Sequence, residues 1–131
     1  MIEARYAGMI SSFIAKNLAV RPVYVTGEIE WRYTPGYQRV PAGLAFRLYA
    51  DTLFHVEARP AFRFRPFPRA GRLEDMTRRM YADALTARGE YYYSKRADRA
   101  EAKYAFLSAI SFDPSAPLPK RWLAAFAAGT R

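Results

Sequence analysis

With a single histidine, no cysteine and twelve carboxylates, the chain has few ways to do chemistry. Because His55 stands alone, a serine-histidine-aspartate triad or a two-histidine metal site has very few possible forms. At the end of an expected strand, it reads as a structural or surface residue. Glu28 and Glu30 lie two apart, in or just after a strand and on one face. Such a pair could hold a cation or flank a sugar, although a solvated face is the plainer account. A glycan-active enzyme built on either would also need a cleft with a second carboxylate about 5–9 Å away. Glu74-Asp75 fits a helix start, where carboxylates favour the dipole. The missing cysteines exclude disulfides, thiolate zinc sites and a thiol nucleophile. The sequence contains neither a glycine-rich phosphate loop nor a nucleophile elbow. The expectation is a chain without catalytic residues, metal or cofactor.

Two runs suit binding better than catalysis. Tyr91, Tyr92 and Tyr93 are consecutive, so on a helix they cannot all face one side. At least one is expected at the surface or an interface, where tyrosine is enriched in hot spots, although packing against the neighbouring helices and the strands is the plainer account. Phe62-Arg63-Phe64-Arg65 alternates strictly. It suits a short edge strand with its phenylalanines inward, or a strip that stacks and neutralises single-stranded nucleic acid. Tyr91, Tyr92, Tyr93, Arg63 and Arg65 are therefore the candidate partner-binding residues. A net charge of +9, from 21 basic and 12 acidic residues, attracts nucleic acid, anionic lipid or acidic protein. The arginines are scattered from Arg5 to Arg131 rather than clustered.

The elements that must carry these residues follow from periodicity. At 131 residues, 51% of them hydrophobic, the chain is long enough for one ordinary core. Ile2, Tyr6, Met9, Ile10, Phe13 and Ile14 predict a helix over residues 2–17. A core-facing helix is the ordinary reading, with a membrane-surface helix as its alternative. Arg21–Ile29 and Gly43–Tyr49 read as two strands that pair. Residues 31–42 read as a loop broken at Pro35-Gly36, and prolines 60, 66 and 68 make 55–72 a connector. From Leu73 the period turns helical, with Leu73, Met76, Met80, Ala84 and Leu85 as an inward stripe. Asp98 and Glu101 form a capping box for a second helix, whose apolar face is Ala102, Phe106, Ala109 and Ile110. Asp113-Pro114 ends it, and Ser115 is the expected cap of a third helix. The fold class is α+β: an N-terminal helix and a strand pair over residues 1–72, then a helical region over 73–131, together one compact domain.

Thr86 to Pro114 resembles a tetratricopeptide repeat, an antiparallel helix pair of about 34 residues. With Asp83 as the first position, Tyr93 takes the aromatic place of the first helix. Ala102 and Ala109 take the small places of the second helix, Phe106 its aromatic place and Pro114 the terminal proline. Thr86 departs from the usual tryptophan, and Gly89 comes one place early. One repeat is visible, where free-standing arrays need about three.

Upstream, Asn17, Arg21 to Tyr24 and Pro41 to Leu48 resemble, in order, a segment of a bacterial membrane-protein family. Its members are similar to protein O-mannosyltransferases of the multi-spanning GT-C glycosyltransferase superfamily. The resemblance implies a soluble C-terminal part that follows the last membrane span, with the catalytic acid and lipid-sugar site elsewhere. No catalytic residue carries over. The implied role is a non-catalytic interaction or scaffolding domain, bound to a protein partner or to the rest of its own membrane chain. Its implied location is membrane-associated and extracytoplasmic. The alternative is a small basic nucleic-acid-binding protein, for which Arg59, Arg63, Arg65 and Arg69 should form one positive face.

Overall fold

A computed structural model of the chain describes residues 2–59 and 70–129. Helix α1 (Ile2–Leu18) leads to strand β1 (Tyr24–Val25), a 3-10 turn at Trp31–Tyr33, and strands β2 (Gln38–Ala42) and β3 (Ala45–Tyr49). Helices α2 (Arg72–Arg96), α3 (Arg99–Phe112) and α4 (Pro117–Ala127) complete the order. The fold is α+β, with four helices and a three-stranded antiparallel sheet in the order β1-β3-β2.

The two expected strands do pair, Tyr24 opposite Arg47 and Val25 opposite Phe46. The third strand, β2, occupies much of the expected 31–42 loop and pairs Gln38 with Tyr49 through to Ala42 with Ala45. The turn signals of 31–42 fall before β2, and Pro41 within it is accommodated because β2 is an edge strand, where a missing ladder donor is tolerated. Gly43 alone has a positive φ in the two-residue turn that follows, +64°, as the first central position of a type II′ turn demands. The Pro35-Gly36 break is a type II turn: Gly36 has φ +80°, and the Tyr37 N–H donates to the Thr34 carbonyl at 3.3 Å.

The apolar stripe of α1 divides. Ile14 is buried with Val23 and Leu48, and Ile10 and Leu18 pack against them. Ile2, Tyr6, Met9 and Phe13 are exposed, so α1 is core-facing along one edge only. The stripe of α2 is corrected in the same way. Ala84 and Leu85 are buried, whereas Leu73, Met76 and Met80 are exposed.

At its C-terminus α2 turns back through Ala97, which adopts the left-handed conformation (φ 51°). The Ala97 N–H donates to the Tyr93 carbonyl at 2.8 Å, the 5→1 bond of an αL closure, and the Asp98 N–H donates to the Tyr92 carbonyl at 3.3 Å. Asp98 caps α3 by accepting from the Glu101 N–H at 3.0 Å. Only that half of the box forms, because the Glu101 carboxylate is bound by arginines instead. Ala102, Ala105, Phe106 and Ala109 are fully buried, and they seat α3 against α2. Ser115 does not cap α4: its hydroxyl donates to Asp113, and Pro117 opens the helix behind Ala116. Tyr93 and Phe106 bring α4 onto the hairpin through Trp122, at ring separations of 5.2 and 5.7 Å. None of the helices among the described residues is long and apolar enough to cross a membrane.

Candidate interaction site

The tyrosine run is used by the chain itself. Tyr91 and Tyr92 are buried against Val40, with Tyr49 and Phe54 beside them. Each hydroxyl closes a pair of bonds with a stretch of backbone before α2 that belongs to no helix or strand. His55 N–H donates to the Tyr91 hydroxyl at 2.9 Å, which donates to the His55 carbonyl at 3.2 Å. Glu57 N–H and carbonyl meet the Tyr92 hydroxyl in the same manner, both at 3.0 Å. The two phenols thus replace a neighbouring strand for alternate residues. Burial pushes the Tyr91 phenol above its ordinary pKa. The expectation that these two rings face a partner is corrected: their surface and their hydroxyls are taken up internally. Tyr93 is half-buried against Trp122 and Phe126. Arg63 and Arg65, with Phe62, Phe64 and Arg69, lie outside the described residues.

An ion cluster locks the same stretch. Arg88, only 2% exposed, binds Glu101 at 2.8 Å and the carbonyls of Glu57 (2.9 Å) and Ala58 (3.3 Å). Arg59 takes the other carboxylate oxygen at 2.7 Å and covers the Tyr104 ring. Burial works against the Glu101 anion, but the bonds from Arg59 and Arg88 outweigh it and lower its pKa. His55 stacks on Tyr49, with its Nε2 2.7 Å from Asp51, a structural contact. The Tyr49 phenol, desolvated and bonded to Glu57, is pushed up to about 12.

The paired glutamates separate. Glu30 binds Arg32 at 2.8 Å, while Glu28 lines a cleft of about 470 Å³ between the sheet and α2. The walls include Trp31, Phe46, Met80 and Tyr81, and Asp83 is a second carboxylate on the lining. Burial, then the nearby Asp113, raise the pKa of Asp83. Arg39, beneath Trp31, donates to the carbonyls of Ile29 (2.6 Å) and Glu30 (2.9 Å) and to Thr34, which fixes the shape of that wall. No group of three or more metal-binding side chains occurs among the described residues.

Sequence reasoning missed Arg88, Glu101 and Arg39 as organising residues. Arg88 had a readable signal: it lies one turn from both Ala84 and Tyr92, an arginine inside a buried stripe that calls for an acidic partner. Comparison with known proteins finds no matching family model, no matching curated protein and no matching solved structure.

Proposed function

We propose that the chain is a non-catalytic interaction and scaffolding domain, the soluble part of a larger bacterial membrane protein of the glycosyltransferase-like kind it resembles. Its helix pair is tetratricopeptide-like, and it docks a protein partner or the rest of its own membrane chain. The observation that carries this reading is the apolar face at the cleft. Trp31 and Met80 are exposed there, and Met76 and Leu73 continue the apolar surface along α2. Aromatic and methionine side chains are the types enriched at protein interfaces. Glu28 and Asp83 beside them favour a partner segment that sets a basic residue next to an apolar anchor. Extracytoplasmic placement next to a membrane follows from the resemblance alone. The nucleic-acid alternative has less support, because Arg59 is engaged by Glu101 and Tyr104. Sugar-transfer and glycosidase assays of the purified chain test the non-catalytic part. No turnover is expected, and turnover abolished by Glu28→Gln or Asp83→Asn would contradict it.

A further inference from the structure

Ile2, Tyr6, Met9 and Phe13 recur at steps of four, three and four, and their exposures are 88%, 43%, 61% and 60%. Single exposed apolar residues are ordinary, but four in one helical stripe are a surface. At about 100° per residue, Arg5 and Lys16 fall within about 40° of the outer edge of this stripe. Ile10 and Ile14 lie on its other side and enter the core. The helix therefore carries a buried band and an exposed apolar band, with Arg5 and Lys16 along the outer edge of the latter. Tyr6 meets Tyr33 edge to face at 5.2 Å. Aromatic rings with a polar tip favour the boundary between acyl chains and water.

We propose that α1 lies flat on an anionic lipid surface. Ile2, Met9 and Phe13 enter the acyl boundary, Tyr6 stays at headgroup level, and Arg5 and Lys16 meet the phosphates. The net charge of +9 brings the chain to such a surface, and the apolar stripe holds it there. Nothing in this requires a partner at the Trp31 and Met80 face, so either proposal can fail without the other.

Co-sedimentation with phosphatidylcholine vesicles, with and without phosphatidylglycerol, tests it on the full chain. Binding is expected only with phosphatidylglycerol present. Met9→Glu with Phe13→Glu should weaken it at least about tenfold, as should Arg5→Glu with Lys16→Glu. All four side chains are exposed, so circular dichroism should be unchanged in both variants. On the unaltered chain, amide exchange in α1 should slow when these vesicles are added, while that in α3 stays the same. Failure to bind phosphatidylglycerol vesicles, or binding that survives Met9→Glu with Phe13→Glu, overturns the proposal. So does self-association through this face without vesicle binding.

Discussion

Phe106 lies directly against the backbone of α2 at Gly89, where an added Cβ would come 2.5 Å from its Cε1 and 2.8 Å from its Cδ1 and Cζ. The ring has little room to retreat, because it is fully buried and Trp122 stacks on it within 8° of parallel. Gly89 is thus what lets the two helices close on a phenylalanine. Gly89→Ala should destabilise the chain by about 2 kcal/mol through overpacking, although alanine alone would favour the helix by about 1 kcal/mol. The urea midpoint should fall at constant slope. An unchanged or higher midpoint would show that the ring has room.

Ala97 predicts the opposite sign. It holds a left-handed conformation that alanine adopts at a cost and glycine adopts freely. Ala97→Gly should raise stability by about 0.5–1 kcal/mol, the looser unfolded chain offsetting part of the gain. Thermal denaturation checks this, and a lower midpoint would rule out the left-handed closure at Ala97.

Tyr91→Phe and Tyr92→Phe keep the rings but remove the hydroxyls that stand in for a strand. Each should cost about 1–3 kcal/mol, since a partly buried N–H loses its partner, and the first variant costs more because the Glu57 carbonyl keeps its bond from Arg88. Amide exchange separates the two: His55 should speed up in the first variant and Glu57 in the second. Equal protection in both would mean that water replaces the phenols without loss.

Glu101 makes stability depend on acid. Its folded pKa lies below the ordinary 4.5, so its contribution is complete above that value. It is lost as pH falls through the lowered folded value. Glu101→Gln should flatten that part of the acid limb and, by leaving Arg88 buried without its counter-charge, cost about 3 kcal/mol at neutral pH. An acid limb of the same steepness in the variant would assign it to other carboxylates.

The helical hairpin was legible because its determinants are local. Alanines and one phenylalanine at helical spacing make α3, and Asp98 caps it. The strand β2 was hidden by the turn signals around Pro35-Gly36, and a strand that contains Pro41 is suitable only at a sheet edge, a tertiary fact. Periodicity found the stripes of α1 and α2 but could not tell which part is covered, since Ile14 and Phe13 are equally apolar as letters. Tyr91 and Tyr92 were singled out because three consecutive tyrosines cannot share one helix face, and of the two readings weighed for them the structure takes internal packing. Their partner is a backbone stretch some 35 residues earlier, which no local pattern announces. The cleft at Trp31 was invisible, because it forms between the sheet and a helix that are distant in sequence.

The docking role is tested most directly by placing a photo-crosslinking phenylalanine analogue at Met80, with exposed Lys120 as the control position, in cells that make the native protein. The account predicts one discrete adduct from position 80, lost when Glu28→Lys and Asp83→Lys reverse the charge beside the cleft. If position 80 gives no more adduct than position 120, the Trp31 and Met80 face is not an interaction surface.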